Sequence, residues 1–196
     1  MTEQTKEQTD YEKLQDIGRN AMNCIAEMVA ALNCDYDRLE ELMDERKALQ
    51  EAFDDAETNE DPDDHATGVA RADAELELKE WDAEHAEELA ELIEAAGESE
   101  SRQDAEQRIQ EDPLSLEFRS DWELPGVELK PAEFKLLLST GGPATQIIGE
   151  LNEHGEPDRA RLQAQDWFQP WTDYLGESLD TDVLLEYCRA VGVCAY

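Results

Sequence analysis

The chain has 196 residues, enough for one domain of ordinary size or two small ones. It carries 51 Asp and Glu against 16 Lys and Arg, a formal net charge of −35. Sixteen scattered cations cannot make the basic patch that displaces counterions from phosphate, so direct nucleic-acid binding is excluded. An anionic membrane surface would repel the chain, and no apolar run approaches the ~20 residues that cross a bilayer.

Met1-Thr2-Glu3-Gln4 has neither the basic nor the apolar stretch of a signal peptide. A cytoplasmic location is therefore expected. Cys24, Cys34, Cys188 and Cys194 form no Cys-x-x-Cys pair, and His65, His85 and His154 stand far apart. Free thiols in a reducing compartment are expected, with no metal and no cofactor.

The acidity is uneven. Residues 1–60 carry −11, residues 61–112 carry −15 and residues 113–196 carry −9, while six of the seven Pro and three of the four Trp fall from Pro113 onward. This reads as an acidic helical region over 1–112 followed by a compact domain over 113–196.

In the first region Leu14, Ile17, Ala21, Ile25, Met28, Leu32, Tyr36, Leu39, Met43 and Arg46 recur at steps of three and four, and Leu49 and Phe53 extend the stripe. A helix over about 10–53 follows. It is either continuous or broken at Asn33-Cys34-Asp35 with Asp35 as a new N-cap. Residues 54–68 lose the period, contain Pro62 and Gly68, and are expected to form a loop. A second stripe, Leu78, Trp81, His85, Leu89, Leu92 and Ala96, predicts a helix over about 69–96 that stops at Gly97. A short helix over about 100–111 would carry Ile109 inward. The two long helices would make a coiled-coil-like hairpin.

Beyond Pro113 the period becomes two. Leu114, Leu116 and Phe118 alternate with polar residues, and strands are expected at Phe134–Leu138, Thr145–Leu151 and Arg159–Trp167. Gly141-Gly142-Pro143 and Asn152–Asp158 are the turns of an antiparallel meander. Asp180 or Thr181 opens a final helix through Val191 that closes over the sheet. The class is α+β.

Catalytic patterns are weak. Asp121, Glu123, Asp166 and Asp173 lie near Trp122, Trp167 and Trp171, but no spacing selects sugar chemistry, and the Trp residues are expected to fill a small core. Gly141-Gly142-Pro143-Ala144 lacks the Lys-Ser/Thr of a phosphate loop. Asp61-Pro62-Asp63-Asp64-His65 lacks the Gly and the bidentate Glu of a calcium loop. An enzyme is not expected.

The informative segment is the second stripe's helix. With Leu78 at angle zero and about 100° per residue, Glu80, Glu84, Glu87, Glu91 and Glu94 fall at roughly 160–240°, on the side opposite the apolar stripe. Ordinary solvated faces mix signs, since like charges four apart cost a few tenths of a kcal/mol each. Here Lys79 is the only base between Ala72 and Gly97.

From Glu75 to Glu94 the net charge is −8, or about one charge per 3.8 Å at ~1.5 Å per residue, against ~3.4 Å for one DNA strand. Asp35 to Glu57 adds −7. Asp37, Glu40, Glu41, Asp44 and Glu45 are taken as a second strip. Side by side, the two helices would approach one charge per ~2.3 Å, near the ~1.7 Å of duplex DNA.

Several stretches carry a resemblance. They are Met28-Val-Ala-Ala-Leu-Asn-Cys-Asp-Tyr-Asp-Arg-Leu-Glu-Glu-Leu42, Asp112-Pro-Leu-Ser-Leu-Glu-Phe-Arg-Ser-Asp-Trp122, Leu138-Ser-Thr-Gly-Gly-Pro-Ala144, Gly149-Glu-Leu-Asn-Glu-His-Gly-Glu-Pro157 and Gln165-Asp-Trp-Phe-Gln-Pro-Trp-Thr172. The chain resembles a family of acidic phage and prophage proteins in these stretches, and outside the segment around 47–80 the likeness covers most of it. Members carry Gly where Asp121 stands, and Gly after the Trp, where Phe168 stands. The resemblance implies a context, a mobile-element protein working inside a bacterial host, and no transferable activity. Mobile elements often encode acidic DNA mimics of anti-CRISPR and anti-restriction type.

The expectation is a non-enzymatic DNA mimic whose ten strip residues bind a basic DNA- or RNA-binding host protein, such as a defence nuclease or its complex. It would not touch nucleic acid or membrane directly. The alternative is a structural homodimer joined through a coiled coil, with the charge serving solubility.

Overall fold

The period-two stretches beyond Pro113 pair in the order in which they occur along the chain. A computed structural model describes residues 3–59, 64–176 and 180–195, with side chains from Asp10 onward. Its elements are α1 (Glu3–Asn33), α2 (Tyr36–Thr58), α3 (His65–Ala96), α4 (Arg102–Glu111), β1 (Ser115–Ser120), β2 (Pro131–Ser139), β3 (Ala144–Leu151), β4 (Pro157–Gln165), β5 (Thr172–Asp173) and α5 (Asp180–Val191). The class is α+β, and the sheet is antiparallel in the order β1-β2-β3-β4-β5. Among the described residues no helix is long and apolar enough to cross a membrane.

The chain forms two units, and their boundaries differ from the division at Pro113. Residues 1–32 and 103–196 make one unit, and residues 33–102 make the other. Composition alone misplaces α1, because its outward face is as polar as that of its acidic neighbours. Its inward face decides the matter. Met22, Ile25, Val29 and Leu32 share one buried cluster with Phe134, Leu136, Ile147 and Leu162 of the sheet and with Leu184, Tyr187 and Cys188 of α5. Ile109 brings α4 into the same core.

Polar contacts fix α1 further. Lys13 bonds Asp166, Gln15 Nε2 donates to the Asp173 carbonyl at 3.0 Å, and the Leu175 N–H donates back to Gln15 Oε1 at 2.9 Å. Gly18 lets the helix approach Tyr174, whose side chain lies within 2.7 Å of where a Cβ would stand. The Tyr187 hydroxyl donates to Asp112, and burial together with that carboxylate pushes the phenol above its ordinary range. Burial likewise pushes the Cys188 thiol up to about 12, so this sulfur is a core atom rather than a nucleophile.

The Trp residues do not fill this core. Trp122 is fully exposed and Trp167 is 65% exposed, and the large aromatics inside are Phe134 and Tyr187. β1 is less covered than its alternation suggested: Leu116 is 36% and Phe118 40% exposed, because the helices pack over the middle of the sheet and leave this edge barer.

The second unit is a helical hairpin. Its first helix begins anew after a break, and Asp35 caps it by accepting from the Arg38 N–H at 3.1 Å. The break resets the helical phase, so Leu42 is buried and Met43, expected in the stripe, is 53% exposed. The loop expected over 54–68 is shorter, since α2 runs to Thr58 and α3 starts at His65 with Asp64 as its cap. Gly68 therefore lies inside α3, and Pro62 falls outside the described residues. At the far end Gly97 adopts φ +57°, a left-handed value that ends α3 as its composition suggested.

Candidate partner-binding surface

The two helices of the hairpin meet along Leu39, Leu42, Leu49 and Phe53 on one side and Leu78, Trp81, His85, Leu89 and Leu92 on the other. All of these are buried or half-buried. The seam's flanks are bridged by ion pairs that run antiparallel. Arg38 Nε and Nη2 each lie 2.9 Å from a Glu88 carboxylate oxygen, and Arg38 Nη1 reaches Glu41 at 2.7 Å. Arg46 Nε donates to Asp82 at 2.9 Å, and the Trp81 indole N–H donates to Glu45 at 3.0 Å. Hydrogen bonding by Arg38 holds the Glu88 carboxyl below the usual range, and Lys79, 2.5 Å away, does the same for Glu75.

Away from the seam the cations run out. Glu80, Glu84, Glu87, Glu91 and Glu94 are all exposed, at about 140–180° from buried Leu89 around the helix. None of them pairs with a Lys or Arg among the described residues. The nearest nitrogen to Glu84 is His85 Nε2 at 3.9 Å, an ion pair only when that ring is protonated. Asp73 and Glu77 extend the same row and are equally exposed and unpaired. Sequence reading passed over these two, although the steps 73, 77, 80, 84, 87, 91, 94 alternate four and three without a break. Seven carboxylates thus line about 32 Å of one face, roughly one per 5 Å.

The second strip does not join them. Asp37, Glu40 and Asp44 are exposed at about 140–160° from buried Leu42, so they point away from α3. Glu41 and Glu45 sit on the flank, bonded to Arg38 and Trp81. Each strip faces away from the partner helix, and the two therefore occupy opposite outer faces of the hairpin. The summed density of one charge per ~2.3 Å is not reached on any single surface. The α3 row alone is sparser than one DNA strand.

The sheet of the first unit shows what an ordinary acidic surface looks like in this chain. On its outer face acids and bases alternate across strands: Arg119 with Glu133, Lys135 with Glu117 at 2.9 Å, Arg159 with Glu150 at 3.4 Å, Arg161 with Asp173 at 3.2 Å. A cavity of about 730 Å³ beside them takes in all eight residues except Asp173, and each of its cations is already bonded to a carboxylate. The acids near the Trp residues are likewise dispersed, Asp166 to Lys13 and Asp173 to Gln163 and Arg161. Among the described residues no group of three His, Cys, Asp or Glu is arranged to hold a metal ion. Compared with protein-family models, curated proteins and solved structures, the chain finds no match.

Proposed function

We propose that the hairpin is an electrostatic decoy whose α3 face occupies the phosphate-binding surface of a basic nucleic-acid-binding protein in a bacterial host. The observation that carries this reading is the row Asp73, Glu77, Glu80, Glu84, Glu87, Glu91 and Glu94, seven exposed carboxylates with no Lys or Arg partner among the described residues. The same chain gives four of its five strand acids, Glu117, Glu133, Glu150 and Asp173, a cation each. Like charges at steps of three and four cost stability, so a row left unpaired serves an external cation better than it serves the fold. Long-range attraction would steer a basic groove to this face. The coiled-coil homodimer is disfavoured because both apolar stripes are already used against each other inside the hairpin.

The test replaces the seven carboxylates by Gln and Asn. Wild-type chain captures basic proteins from bacterial lysate at low salt, the capture falls steeply with salt, and duplex DNA competes for the same proteins. The substituted chain loses that capture while its hairpin melts at the same or a higher temperature. Capture unaffected by the substitutions or by DNA overturns the reading.

A further inference from the structure

β1 is an edge strand with one neighbour, and its free side is open. Leu116 and Phe118 within it are 36% and 40% exposed, and Leu114, Trp122 and Leu124 in the segments flanking it are 60%, 100% and 77% exposed. Leu116 and Phe118 stand opposite Leu136 and Phe134 in the sheet, so they share the inner face with two fully buried residues. Exposed apolar edges of this kind are templates for another strand. β1 carries Glu117 and Arg119, of opposite sign, one on each side of Phe118.

We infer that β1 pairs antiparallel with β1 of a second copy about a two-fold axis at Phe118. The chemistry selects this register. An axis at Glu117 would set two carboxylates together, and an axis at Arg119 two guanidiniums. About Phe118 each Glu117 faces the other copy's Arg119. Within each copy Glu117 already pairs with Lys135 and Arg119 with Glu133. The outer face then gains two rows of four alternating charges, Lys135-Glu117-Arg119-Glu133, which cross the junction in opposite directions. On the inner face Phe118 meets Phe118 and Leu116 meets Ser120. The arrangement is isologous and closes on itself, joining the two five-stranded sheets through their β1 edges. The surface is separate from the carboxylate row and does not depend on it.

Sedimentation equilibrium of the full chain tests this at about 100 µM and about 0.15 M NaCl, where the like net charges of the two copies are screened. Wild type is expected at twice the 22.2 kDa of one chain. Glu117→Arg and Arg119→Glu, each with the far-UV spectrum of wild type, are expected to sediment as monomers, since each places like charges in both rows. An equimolar mixture of the two is expected to recover the dimer, because every 117–119 contact across the junction is again of opposite sign. Mixing cannot repair a variant that merely folds badly. A monomeric wild type, dimers that persist in both reversals, or a mixture that stays monomeric overturns the inference.

Discussion

Arg38 on α2 clasps Glu88 on α3 at two points, Nε and Nη2 each 2.9 Å from a carboxylate oxygen. The side chains stay 31% and 45% exposed, so water and salt weaken the pair and its contribution is small. Arg38→Gln is expected to lower the melting temperature of the hairpin at low salt and to have almost no effect in about 1 M NaCl. Acid has a definite sign here. The folded Glu88 carboxyl titrates below its ordinary value of 4.5, so its contribution is complete above that pH and is lost as pH falls through the lower folded value. Wild type and Arg38→Gln should therefore differ at neutral pH and converge on acidification, as followed by thermal melts across a pH series.

Gly18 in the middle of α1 gives a test in which two effects oppose each other. Helix propensity alone favours Gly18→Ala by about 1 kcal/mol. The new methyl, however, would stand 2.7 Å from the Tyr174 side chain. Overpacking of this kind costs about 1–3 kcal/mol. A net loss of stability in urea denaturation is expected. A gain would show that α1 does not dock on Tyr174.

Phe168 holds φ at +63°, the one described non-Gly residue in that region, with its ring fully exposed. A side chain there costs about 1–2 kcal/mol in an L-residue, partly offset by the chain entropy that Gly would lose. Phe168→Gly is expected to raise stability by about 0.5–1 kcal/mol, since the ring surrenders only its contact with Trp167, 6.4 Å between centroids. Chemical denaturation of the variant measures it.

Much of the fold was legible because local rules and tertiary packing agreed. The meander followed from alternation and turn glycines, and the stop at Gly97 from its freedom at positive φ. The stripe on α3 survived intact from Leu78 to Ala96, and with it the outward placement of the five glutamates. Met43 failed for a specific reason: its place in the stripe assumed continuous phase through Cys34, and the break hands that place to Leu42.

The allocation of α1 was not legible, because acidity describes a helix's wet side and the unit it joins is decided by its dry side. The same blindness doubled the charge strip. Periodicity tells which way each row points on its own helix, but only the pairing of α2 with α3 tells that the two rows point apart. The exposed Trp residues could not be read at all, since a tryptophan's burial depends on neighbours that spacing does not reveal.

The hairpin of residues 33–102 leaves the chain between α1 and α4, two helices that both belong to the other unit's core. It is therefore a cassette. Whole turns can be added or removed near its tip without disturbing a residue of that core, provided both arms change together so that the seam stays in phase. The length and charge of the two arms can in this way vary independently of the residues that build the core of the sheet.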